Sequence, residues 1–225
     1  NTAIVTLSES SRASLVSDLR LPDHAVHVVE PGIHPRFTPG GDRSPTPLVV
    51  AAGRLMPSKR FDTLIRTVAE ARRSVPETRL EILGAGYADD DLSAVVAGLG
   101  AESWVTLRGH VDDEELVSAY RRAWVVASAS ASEGWGMTLT EAAACGTPAV
   151  ATRIPGHEDA VEHGVSGLLA DEDPQLAGHL VDLLADDDRR TTFGKTALAR
   201  SSRYGWDRTA TEAFRVLASK VPQGR

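Results

Sequence analysis

The sequence predicts an α/β protein: a doubly wound, parallel, Rossmann-like sheet. Three observations point there. Short apolar runs recur at residues 48–52, 79–83, 104–107, 124–127, 148–151 and 167–169. Helix-like segments of about three turns separate most of them. Glycines close the first three runs, at Gly53, Gly84 and Gly109. Apolar strands alternating with helices signal a parallel sheet covered on both faces. Right-handed crossovers then wind it outward in two directions.

Residues 3–7 form a short apolar stretch, 10–19 a polar helix-like segment and 26–29 a β-prone run. Residues 30–41 are dense in Pro and Gly and read as a connector, with a domain boundary between about Pro31 and Pro47. Helices are expected at 61–74, 92–99, 112–122 and 137–144, and from Pro155-Gly156 to His163. The tail from Pro174 onward is helical in character.

The 225 residues are 42% hydrophobic and 24% charged, an ordinary globular balance. Twenty-four Lys and Arg face 31 Asp and Glu, for a net charge of -7. That excludes a general nucleic-acid binder. Any bound anion must be held by a local cluster. Cys145 is the single cysteine, so an intramolecular disulfide and a multi-cysteine zinc site are excluded. This suits a reducing, cytoplasmic setting. No apolar run reaches the roughly 20 residues that span a bilayer. The first residues lack both a signal-peptide pattern and an initiator Met, which points to a chain cut from something longer.

Ligands of doubly wound folds bind beyond the carboxyl ends of the strands. There stand Gly53 and Arg54, with Lys59 five residues on. Arg offers a planar fork for phosphate oxygens and Lys a mobile point charge. Spacing alone leaves two readings, a diphosphate clamp or two solvated cations. Gly84-Ala85-Gly86 resembles the opening of a dinucleotide fingerprint, but Asp89 stands at the third glycine position. It reads equally as a tight strand–helix turn. Glu133 lies in a loop and Glu141 one turn inside the next helix, whose first amides suit an anion. Paired carboxylates suit vicinal hydroxyls, but a helix-start acid beside an unrelated Glu is an equal reading. The acidic runs 89–91, 171–173 and 186–188 read as helix caps rather than metal ligands. His110 is worth noting because it follows a strand end. Cys145 reads as a small buried residue.

Taken together, these stretches resemble the C-terminal, donor-binding half of a GT-B glycosyltransferase of family 4, the "group 1" glycosyl transferases. The resemblance runs through residues 28–33, Gly53-Arg54-Leu55 with Lys59-Arg60, residues 82–86, Gly109-His110-Val111, and Glu133 to Glu141 followed by Ala-Cys-Gly-Thr-Pro at 144–148. Residues 204–208 continue it, so nearly the whole chain is covered. His34 stands where the family commonly has Asp, and Trp135 where Phe is usual.

The resemblance implies a retaining transfer from a nucleoside-diphosphate sugar, with no cofactor and no essential metal. Arg54, Lys59 and Glu133 would be catalytic. Gly53, Gly84, Val111, Gly134, Trp135, Gly136, Met137, Thr138 and Glu141 would bind the donor, with Val111 meeting the base and Glu141 the ribose. It divides the chain into residues 1–35, a remnant of the N-terminal acceptor domain with its linker; 36–206, the donor domain; and 207–225, a crossover helix and tail. The acceptor would be bound through the missing N-terminal domain, and the two ends of the chain are expected to pack together.

Overall fold

The structure is a computed structural model that describes residues 3–220. Six parallel strands form the main sheet in the order β5-β4-β3-β6-β7-β8. They are β3 (Leu48–Ala52), β4 (Arg79–Leu83), β5 (Val105–Gly109), β6 (Val125–Ser128), β7 (Ala149–Thr152) and β8 (Gly167–Ala170). Ahead of them, β1 (Ile4–Thr6) and β2 (Val26–Val28) pair in parallel as a separate two-stranded sheet, joined through α1 (Glu9–Ser17). The predicted doubly wound fold is present.

Side chains alternate across each strand, so one run feeds two cores. Val49 and Ala51 face α2 (Phe61–Ala71), α3 (Asp89–Gly98) and α7 (Asp173–Ala185), in a cluster with Ile65, Leu180 and Leu183. Leu48 and Val50 face α4 (Asp113–Arg122), α5 (Met137–Ala144) and α6 (Pro155–Ala160), in a cluster with Tyr120 and Leu139. Both sets are almost fully buried, which is why β3 lacks a polar face in the sequence. α8 (Asp187–Ser201) packs on α5.

Three acidic runs sit at helix starts. Asp89, Asp90 and Asp91 occupy the first turn of α3, so that helix begins three residues earlier than expected. Asp173 opens α7, and the Asp186 side chain accepts the Arg189 amide as N-cap of α8. Acids there oppose the positive end of the helix dipole. The helix expected to reach His163 stops at Ala160. His163 bridges to Gly167 instead, leading the chain into β8.

The expectation that both chain ends pack together holds only at their root. Ile33 bridges to Gly205, and the Thr209 hydroxyl donates to the Glu30 carbonyl at 2.8 Å. α9 (Trp206–Ala218) buries none of its residues. Trp206, Phe214 and Leu217 are 52%, 70% and 64% exposed.

Two glycines test the loop geometry. Gly84 has φ +141°, and a Cβ there would fall on the Gly53 carbonyl oxygen. Gly178 lies in α7 with open space around it. Gly84→Ala is therefore expected to lower stability by at least about 2 kcal/mol, through backbone strain and a forced shift. Gly178→Ala should raise it by about 0.5–1 kcal/mol. Denaturant melts of the two variants check this. Equal, small changes would show that the two loops are not locked together.

Candidate active site

Strand order reverses between β3 and β6. β3 leads outward to β4 and β5, while the chain returns beside β3 as β6 and continues outward to β7 and β8. The loops after β3 and β6 therefore part and leave a crevice, where doubly wound folds bind ligands. Those loops carry Arg54, Lys59 and Glu133.

The β3 loop is tied to its neighbours by backbone. Gly53 donates its amide to Leu83, Leu55 donates to Ala85, and Ala88 donates to Leu55. A Cβ at Gly86 would strike the Leu55 carbonyl. Gly84 and Gly86 are thus required by loop-on-loop contact, the tight-turn reading of that segment. A short 3-10 turn, Pro57–Lys59, follows, and the Ser58 carbonyl accepts the Ala131 amide of the β6 loop at 2.8 Å.

Lys59 Nζ and Glu133 Oε1 lie 2.5 Å apart, with both side chains less than one-fifth exposed. Ser130 Oγ donates to the same carboxylate oxygen at 2.8 Å. Thr152, at the end of β7, donates from Oγ1 to the Ser130 carbonyl at 2.6 Å. His157 donates from Nδ1 to the Thr152 carbonyl at 2.8 Å. Burial first, and then the Lys59 charge, hold the His157 pKa below its ordinary value, against the opposing pull of Thr152 and Glu133. Gly156 completes the support, since a Cβ there would fall on the Glu133 carbonyl. Sequence reasoning placed Thr152 at a strand end without a role, and missed Ser130, Gly156 and His157 as supports. The available signal was Pro155-Gly156 just beyond a strand end.

Arg54 is exposed and has no acid at ion-pair distance among the described residues. The structure thus brings Lys59 and Glu133 together directly and leaves Arg54 free at the crevice mouth. A Cβ at Gly53 would lie 3.7 Å from Lys59 Cε, so little stands between that backbone and the Lys59 stem.

α5 starts at Met137 with Gly136 as N-cap and no side-chain cap. Leu139 and Thr140 donate their amides to the Gly136 carbonyl. The amides from Gly134 to Thr138 have no backbone acceptor among the described residues, so they are available to an anion. Gly136 is close-packed, its Cβ position 2.9 Å from Ala160 Cβ. The Trp135 side chain turns inward. It is 4% exposed and packs edge-on against Tyr204, ring centres 5.3 Å apart. Any donor contact from this residue is therefore through its backbone. Val111 and Met137 are half-buried against the same cluster, and Thr138 and His110 are half-buried and exposed respectively.

Glu141 lies four residues after Met137, one turn into the helix. Tyr120 OH, fully buried, donates to Glu141 Oε2 at 3.3 Å. Burial pushes the Glu141 pKa up from 4.5 to about 7, with the Tyr120 hydrogen bond opposing. Cys145 is buried, and burial raises its thiol to about 11. It behaves as a small core residue.

The class these features define is the Rossmann-like C-terminal half of a GT-B protein. Solved structures agree on the fold. TarM of S. aureus, crystallised as a mutant with fondaparinux, α-GlcNAc-glycerol and UDP, superposes with a TM-score of 0.86 at 20% identity, over 95% of this chain and 43% of its own. Anabaena HepE, in complex with UDP and glucose, gives 0.86 at 23% identity, over 97% and 63%. The family described as "Glycosyl transferases group 1" matches residues 38–200. The chain belongs to the group 1 glycosyl transferases. A D-inositol 3-phosphate glycosyltransferase of Corynebacterium jeikeium is 36% identical over 220 residues, 88% of this chain and 52% of that protein. Its counterpart in Thermobispora bispora is 31% identical over 249 aligned positions, 98% and 58%. The chain thus spans a little over half the length of these curated relatives. No helix among the described residues is long and apolar enough to cross a membrane.

Proposed function

We propose that this chain is the donor-binding domain of a retaining, metal-independent family 4 glycosyltransferase. It takes a sugar from a nucleoside-diphosphate sugar. The observation that carries the reading is the Lys59–Glu133 pair at the point of strand-order reversal, flanked by Arg54 and by the free amides of the α5 start. Diphosphate would sit on Arg54, Lys59 and the amides of residues 134–138. Glu133 would hold the donor sugar, Glu141 the ribose, and Val111 the base.

This arrangement suits the chemistry. Breaking the glycosidic bond leaves an oxocarbenium-like centre and a diphosphate of growing negative charge. Fixed cations and amides stabilise that charge more in the transition state than in the ground state. In this reading residues 1–35 belong with an acceptor domain, 36–206 form the donor domain, and 207–225 cross back to the acceptor domain. The exposed apolar side chains of α9 support the last assignment. The acceptor would be recognised largely outside this chain, so the chain alone should transfer little sugar.

Calorimetric titration with UDP, GDP and ADP tests the reading. UDP comes first, because both solved structures named above contain it. One diphosphate should bind clearly more tightly than the others. A chain that ignores all three is not a donor domain, and rapid sugar transfer by this chain alone would overturn the division of labour.

A further inference from the structure

A second cluster of cations lies at the opposite end of the sheet, where β6 and β7 begin. It lines a cavity of about 420 Å³ whose walls carry Arg43, Arg121, Arg190 and Lys195 against one carboxylate, Asp187. In a chain of net charge -7, a pocket with four cations and one acid is a strong local inversion.

The guanidinium groups have been positioned largely by neutral acceptors. Arg43 donates from Nη1 to Thr147 Oγ1 and from Nη2 to the Gly146 carbonyl, each at 2.6 Å, and from Nη1 to the Ala123 carbonyl. Arg121 donates from Nε to the Thr38 carbonyl at 2.7 Å and from Nη2 to its hydroxyl at 2.8 Å. Arg190 lies 4.0 Å over the Trp124 ring, donates to the Leu183 carbonyl at 2.9 Å and pairs with Asp187, leaving its side chain 12% exposed. Carbonyls and hydroxyls orient a guanidinium without neutralising it. The repulsion is felt locally: burial of its head group, and then the Arg190 charge, pull the Arg43 pKa below its ordinary value. Lys195 is exposed at the rim.

We infer that this cavity is a second anion site, which takes a small phosphorylated molecule. Preset guanidinium groups, of which Arg43 and Arg121 have no carboxylate partner among the described residues, are the arrangement that recognises phosphoryl oxygens. The volume falls within the range of small-molecule pockets. A membrane headgroup is disfavoured because the exposed large apolar residues, such as Phe214 and Tyr87, do not line it. The site stands apart from Lys59 and Glu133, which lie at the carboxyl ends of the strands, so it does not depend on the donor reading.

Calorimetric titration of the 225-residue chain with inorganic pyrophosphate tests it, alongside Arg54→Ala, Lys195→Glu and Arg121→Gln. Pyrophosphate should bind the unaltered chain. Lys195→Glu should weaken that binding at least tenfold, Arg121→Gln about threefold or more, and Arg54→Ala should leave this component unchanged. Circular dichroism confirms that the variants are folded, and Lys195 has no buried contact to lose. No pyrophosphate binding would overturn the inference. So would binding abolished by Arg54→Ala yet indifferent to Lys195→Glu. Attachment to phosphatidylglycerol vesicles with no response to pyrophosphate would assign the cluster to a membrane surface and equally overturn it.

Discussion

Arg54→Ala is expected to weaken nucleoside-diphosphate binding by about 1.5–3 kcal/mol, roughly 10- to 150-fold, with no loss of stability. The asymmetry follows from the free chain. Arg54 is exposed and unpaired among the described residues, so removing it deletes a contact that forms only with ligand. Lys59 is different, because it already holds Glu133. Lys59→Ala removes a phosphate contact and also leaves a half-buried carboxylate without its cation. That carboxylate would then repel the diphosphate. Lys59→Ala should therefore cost more affinity than Arg54→Ala, and some stability too. Adding Glu133→Gln to Lys59→Ala should recover part of the nucleotide affinity, because it removes the repulsion and not the lost contact. The same calorimetric titration reads all four proteins. Affinity unchanged in both single variants would remove the clamp from the reading.

How much of this was legible beforehand depends on the range of each interaction. The strands were, because burial on both faces makes Val49, Val50 and Ala51 one continuous apolar run. The helix from Met137 to Ala144 was also read to its ends. The early start of α3 is a matter of degree: three aspartates that read as a cap are in fact the first turn of the helix itself. The early end of α6 was obscured by a local competition. Val161 turns into the core, and Ser166 Oγ accepts the Glu162 amide at 3.0 Å, so the chain bends where the pattern still looked helical.

At the site, the residue types that touch a ligand stood out as rare polar groups after strands. The residues that aim them did not. Ser130 and Thr152 are ordinary hydroxyls whose meaning lies in a path from β7 to Ser130 to Glu133, across separate loops. Trp135 shows the opposite limit. The family resemblance makes it a donor-binding residue, but its ring is accommodated against Tyr204 in the core. The Lys59–Glu133 pair was foreseeable only as two neighbours of one ligand, not as partners in its absence.

Glu141 sets the second large effect, and its sign runs against common experience with paired carboxylates. Its folded pKa is raised, from 4.5 to about 7, chiefly by burial. The folded state therefore holds a proton that the unfolded state has released across that window. Stability is greatest below about pH 4.5 with respect to this group and is lost as pH rises toward about 7, by about 2–3 kcal/mol in all. Glu141→Gln removes that loss. His157 and His163, held below their ordinary values chiefly by burial, act oppositely and lose stability as pH falls. The quantity to measure is thus the difference between the two proteins' urea-unfolding free energies, in which the histidine contributions cancel. The Gln variant should gain on the unaltered chain by about 2–3 kcal/mol between pH 4.5 and 7.5. The same substitution should weaken nucleotide binding, because ribose hydroxyls donate best to an ionised carboxylate. Binding would pull Glu141 toward ionisation, so nucleotide affinity in the unaltered chain should rise with pH through about 7 and do so far less in the Gln variant. A residue that weakens the empty fold at neutral pH while strengthening its complex is one placed for the ligand rather than for the core. Parallel stability curves for the two proteins would mean that Glu141 is already ionised in the free chain and that the ribose assignment lacks this support.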